Sequence, residues 1–305
     1  MALFVEILMR VTLPICVLVA LGWLLQGRLK LDVASLNRLQ VYVVLPCFLV
    51  HFLSAGAQPL SAVWQTAYFT VVQFMFLIPM GWLLALAFRL RRGLGPVVGL
   101  ATAYANVGFF GIPVTQLAFG ADYLIHQSVI TALTAIMIVT VGVWLLAPSA
   151  GGVLARLKSA FATPMIPAVV LGLSLRGVEV TLPPLVGIPI QMIGSIFTPL
   201  ALYTLGAQLA QSSLGAIRLG PQTLMLVLKF LLAPVVTWAL AYVMDIPKDL
   251  TALLVVAAST PVGVLITVFC AEYRRDPEFI NAAVVISTAL SPLVVTAWIL
   301  IMRSV

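Results

Sequence analysis

Charge is scarce in this chain. Nine acidic and sixteen basic residues among 305 make up 8% of the sequence, too few to clothe a soluble core of that size in solvated side chains. Only three cysteines are present, Cys16, Cys47 and Cys270; they form no CxxC pair, stand beside no histidine cluster, and read as small buried hydrophobes. There are two histidines, His51 and His126, far apart in the chain. With no GxSxG, HExxH or Walker A motif either, hydrolase and ATP-driven chemistry are disfavoured. The net charge of +7 is spread along the chain, not collected in a tail, and no recognition module accompanies it, so nucleic acid is not an expected partner.

What is present is apolar. Hydrophobic residues are 63% of the chain and the mean hydropathy is +1.18, in repeated stretches long enough to cross a hydrocarbon layer of roughly 30 Å. These runs are continuously apolar, without the period-2 alternation of a membrane β-barrel. The chain is therefore expected to be an all-α integral membrane protein. Cutting at polar and Gly/Pro-rich joints gives ten candidate helices, at about 4–26, 35–55, 62–88, 95–119, 123–147, 161–177, 186–211, 219–244, 250–271 and 278–302. The first run carries no clear cleavage site and is read as a retained span.

Prolines of the first half recur in the second. Pro14 and Pro167, Pro46 and Pro199, Pro79 and Pro234, Pro96 and Pro247, and Pro113 and Pro261 keep the same order at separations between 148 and 155 residues. A duplicated unit explains this: residues 1–147 as the first five-helix repeat, 148–160 as a cytoplasmic linker, and 161–305 as the second repeat. Because five is odd, the second copy enters the membrane from the opposite face, giving a 5+5 inverted repeat. Basic residues agree with that count. Alternate loops hold eleven (Arg28, Lys30, Arg38, Arg89, Arg91, Arg92, Arg156, Lys158, Arg218, Arg274, Arg275), against four in the other set (Arg10, Arg176, Lys248, Arg303). That bias puts both termini outside the cytoplasm, in a cell (plasma or inner) membrane whose anionic lipid faces the basic side.

The fourth and ninth runs carry the candidate site. In Ala105–Pro113, the residues Asn106, Gly108, Phe110, Gly111 and Pro113 combine polar, flexible and helix-breaking character; in the ninth run Ser259, Thr260, Pro261 and Gly263 do the same at the matching place. Both helices are expected to unwind there. Non-helical backbone at membrane depth is tolerated where it is buried in protein or lines a wet cavity. Two helix N-termini meeting at such breaks, each with roughly half a positive charge, make a site for an anion, and the freed carbonyls can hold a cation or water. The alternative is that the breaks are mechanical kinks.

Other polar residues are candidates for the same passage: Gln73, Tyr104, Gln116 and Tyr203, whose alternative role is to satisfy freed backbone groups. Lys229 lies about eight residues inside the eighth run and must either snorkel or face a polar cavity, where it would attract an anion. His51 and His126 are expected at interfaces, and Glu6 and Arg10 as a pair one turn apart. No Asp or Glu falls within the broken segments, which disfavours a paired-carboxylate proton antiport. No cofactor is expected; coupling to a sodium ion or proton stays open. An anion channel and a membrane sensor of organic acids remain alternatives to a carrier.

Asn106-Val-Gly-Phe-Phe-Gly-Ile-Pro113 resembles the Asn-x-x-Phe-x-Gly-x-Pro motif of the auxin efflux carrier family, which includes bacterial carriers of malate- or malonate-like acids and the plant PIN carriers. Val44-Leu-Pro-Cys-Phe-Leu-Val-His-Phe-Leu-Ser54 is similar to the family's second-helix pattern, and Leu205-Gly-Ala-Gln-Leu-Ala210 to its seventh-helix pattern. The resemblance implies the two-domain fold of bile acid symporters and sodium/proton antiporters. Helices 1, 2, 6 and 7 would be the scaffold, helices 3–5 and 8–10 the moving transport domain, and helices 4 and 9 would cross. It implies a small organic anion as substrate, mono- or dicarboxylate or auxin-like, and a homodimer. Leu49 stands where the PIN pattern has Ser, and Thr163 where many relatives have Asn.

Overall fold

A computed structural model describes residues 2–55, 60–91, 93–146, 164–211 and 219–304. The expected linker 148–160 and Thr163 lie outside the described residues. Within them the chain is helical, and its one β-type pairing is an isolated antiparallel bridge between Ala105 and Val262.

In chain order the segments are α1 (Phe4–Leu29), α2 (Val33–Ala55), α3 (Leu60–Ala87), α4 (Leu94–Ala103), α5 (Val107–Ala118), α6 (Ala121–Leu146), α7 (Met165–Gly177), α8 (Pro184–Gln211), α9 (Leu219–Val243), α10 (Lys248–Ala258), α11 (Leu265–Glu272) and α12 (Pro277–Ser304). Seven of these, α1, α2, α3, α6, α8, α9 and α12, are long and apolar enough to cross a membrane by length and composition. The expected fourth run is divided into α4 and α5, and the expected ninth into α10 and α11. Exposed apolar side chains such as Trp23, Leu24, Trp64, Leu185 and Tyr242 cover the outside of the bundle, as a lipid-facing surface requires.

The prolines act as the sequence suggests, but through a wider turn as well as a break. Four π-helical turns, Leu8–Thr12, Gln40–Val44, Val107–Gly111 and Leu228–Leu232, each end two residues before a proline: Pro14, Pro46, Pro113 and Pro234. A proline ring cannot donate and crowds the carbonyl four residues earlier, so the preceding turn widens to relieve it. Pro113 therefore does not break its helix. It follows the π-helical turn Val107–Gly111 inside α5, whose wider ring accommodates the proline without ending the helix, and the unwound stretch lies upstream at residues 104–106.

Small residues set the closest helix approaches. A Cβ on Gly22 of α1 would strike the Tyr203 carbonyl oxygen of α8, and one on Gly206 of α8 would strike the Val19 carbonyl oxygen of α1. The two backbones touch through reciprocal glycines, the device by which apolar helices pack tightly without a hydrophobic driving force. On the other side of the site α3 meets α4 in the same way, a Cβ on Gly99 falling 2.5 Å from the Ile78 carbonyl oxygen.

Candidate functional site

Helix α4 stops at Ala103 because Tyr104 turns extended, with φ −87° and ψ 97°, and Asn106 follows at φ −76° and ψ 60°. The second break runs from Ser259 to Val264, around Pro261. The two unwound strands meet. Asn106 donates its backbone N–H to the Pro261 carbonyl at 2.7 Å, and Gly263 donates to the Tyr104 carbonyl at 3.0 Å. Buried backbone groups released by each break are thus satisfied by the other, although the residues lie more than 150 positions apart.

Gly263 is needed for this approach, since the Tyr104 ring lies where its Cβ would be. On the first break the Val107 carbonyl accepts from Gln127 Nε2 at 2.7 Å and from Thr131 Oγ1 at 3.3 Å, and Gln127 Oε1 accepts in turn from Thr115 Oγ1 at 3.0 Å. A Cβ on Gly111 would fall 2.7 Å from Gln127 Nε2, so this glycine makes room for the buttress. Gln127 and Thr131 were not among the sequence candidates. Their signal was a Gln and a Thr four apart, one helical turn, in a run that also holds His126, Ser128 and Thr134.

A cavity of about 240 Å³ opens at the first break. Tyr104, Asn106, Val107, Gly108 and Phe109 form one wall; Thr131 and Thr134 of α6, Phe197 of α8, and Val264, Leu265 and Phe269 of the second break and α11 are also on its walls. Both helix starts, Val107–Gly108 of α5 and Val264–Leu265 of α11, therefore face one space, and the first N–H groups of a helix have no partner within it. Among the described residues no acidic or basic side chain lines the cavity. Asn106 is 4% exposed and its Nδ2 has no hydrogen-bond partner, which is unusual for a buried amide and leaves a donor available on the wall.

The remaining candidates fall elsewhere. Phe110 packs with Ile7, Val11, Ile15 and Leu202, and Pro113 is buried in α5. Ser259 and Thr260, both fully buried, donate to the Val256 and Ala257 carbonyls of their own helix at 2.7 and 2.8 Å. The Val262 N–H donates to Ser287 Oγ of α12 at 3.1 Å. Gln73 donates to Thr237 Oγ1 at 2.6 Å, Gln116 accepts from Thr198 at 2.9 Å, and Tyr203 contributes its backbone to the α1 contact. Lys229 follows neither sequence alternative. It is fully buried without snorkelling, is absent from the cavity wall, and its Nζ donates to the Thr102 carbonyl at 3.4 Å. His126, expected at an interface, is buried in α6 with Nδ1 2.7 Å from Thr66 Oγ1. Glu6 and Arg10 pair at 3.5 Å on the exposed side of α1, where such a pair contributes little.

Two broken helices bonded to each other, with a largely apolar cavity at the helix starts, are an arrangement suited to holding a solute inside a membrane protein. Comparison with known proteins agrees. The chain matches a family described as membrane transport protein over residues 7–160 and 154–299, and it belongs to that family, the auxin efflux carriers whose motifs it bears. It is also 29% identical over 301 residues to an uncharacterized transporter of Methanothermobacter thermautotrophicus, covering 94% of this chain and 95% of that protein. The protein is thus a multi-span membrane protein of a transporter family, which is not a class of enzymes.

Proposed function

We propose that this protein is a secondary carrier of small organic anions, working by alternating access across a cell membrane. The observation that carries this reading is the unpartnered, buried Nδ2 of Asn106 on the wall of the cavity, beside the starts of α5 and α11. A carboxylate there would accept from Asn106 and from the free N–H groups of the helix starts, with no fixed negative charge to repel it. Phe109, Phe197 and Phe269 would pack against its carbon skeleton, so the site would select for a compact acid with one polar end.

The arrangement we infer has ten spans as two inverted five-helix repeats, residues 1–147 and 161–305, with both termini outside the cytoplasm. Helices α1, α2, α7 and α8 would form the scaffold, and the bundle containing both breaks would move against them, within the homodimer that the family resemblance implies. With no carboxylate at the crossing, transport would be uncoupled or coupled through a backbone-held sodium ion. An inside-negative potential would then favour export by about 2.3 kcal/mol per charge per 100 mV. Liposomes containing the purified protein and carbon-14 acetate, malonate, malate or indole-3-acetate, clamped at opposite potentials, test this. Flux of at least one acid should follow the potential and fall with Asn106→Ala. Flux indifferent to voltage and driven by a proton gradient would overturn it.

A further inference from the structure

Each break leaves a carbonyl pole as well as an amide pole. The C-terminal carbonyls of α10 are capped by hydroxyls, Ser259 on Val256 and Thr260 on Ala257. The C-terminal carbonyls of α4 are treated differently. Tyr104 N–H takes the Leu100 carbonyl at 2.7 Å, and the Thr102 carbonyl two residues on receives the ammonium of Lys229. Thr102 spends its own hydroxyl on the Val98 carbonyl at 2.8 Å.

Lys229 is fully buried and no carboxylate among the described residues pairs with it. A buried cation without a counter-charge is costly unless something nearby carries negative potential, and the C-terminal end of a helix does. The π-helical turn Leu228–Leu232 contains Lys229 and sits against α4, in the kind of irregular turn that recurs at functional sites. The Lys229 amine is therefore held at the carbonyl pole of the crossing that, among the described residues, no hydroxyl caps.

We propose that Lys229 is a tethered cation that neutralises the carbonyl pole of α4, so that no sodium ion is needed there, and that removing its charge creates a site for a small monovalent cation. This deepens the carrier reading and rests on it for its meaning in transport: of the two coupling modes left open, it selects the uncoupled one.

The test uses purified full-length protein in detergent, with thermal midpoints measured in sodium, lithium or choline chloride at equal ionic strength. Wild type should be indifferent to the cation. Lys229→Met should unfold earlier in choline and regain roughly 3 °C or more in sodium or lithium, and Lys229→Gln should behave likewise, whereas Lys229→Arg, which keeps the charge, should stay indifferent. A sodium response in wild type would overturn the proposal. So would indifference of both neutral variants, or failure of both to fold in any of the three salts, because sodium would then not replace the ammonium. The readout involves no transported acid, so a failed flux assay counts against the carrier reading alone.

Discussion

The two breaks share one geometry and differ in chemistry. Both exchange backbone hydrogen bonds through the Ala105–Val262 bridge, and both place a helix start on the same cavity. Yet at the second break Ser259 and Thr260 cap their own helix, and a single neighbouring side chain, Ser287 of α12, accepts from the Val262 N–H. The first break relies on neighbours, Gln127 and Thr131 from α6 and Lys229 from α9, and keeps the Asn106 amide unused. Similar backbone geometry at the two breaks is thus completed by different side chains, and the unpartnered amide belongs to the first alone.

The sharpest way to break that comparison is to mutate matched positions. Asn106→Ala should weaken binding of a carboxylate substrate about 10- to 100-fold, the worth of a hydrogen bond to a charged group, with little change in thermal midpoint because its Nδ2 has no protein partner to lose. Titration followed by flux inhibition or thermal shift reads both quantities. Gly263→Ala should destabilise the protein by about 1 to 3 kcal/mol, because the Tyr104 ring must leave its place against the second break, and midpoint measurements check it. Gln127→Ala should cost about 1 to 2 kcal/mol by stripping the Val107 carbonyl of its shorter bond. Thr260→Val should cost about 1 kcal/mol in stability and leave substrate affinity unchanged. Equal losses of affinity in Asn106→Ala and Thr260→Val would erase the asymmetry.

Much of the fold was legible because it follows from solvation and backbone rules acting over short stretches. Apolar runs marked the helices, and Asn106 to Pro113 with Ser259 to Gly263 marked the two interruptions. Within the first segment the strain at Pro113 is absorbed by the π-helical turn Val107–Gly111, and the unwinding falls at Tyr104 to Asn106, where Pro261 and Gly263 supply the missing partners. Tyr104, Asn106 and Gly108 line the cavity, whereas Gln73, Thr260 and Lys229 do not. Periodicity gives a polar side chain a helix but not a neighbour.

The sequence by itself determined the solvent, the helical class, the family and the positions at which two helices could not continue, since each depends on local composition and on what a peptide group requires in an apolar medium. Only the tertiary structure decided which break keeps a free amide, which carbonyl pole receives an ammonium, and that Gln127 buttresses the site. Those outcomes depend on hydrogen-bond partners brought together from opposite halves of the chain, and no local pattern encodes that choice.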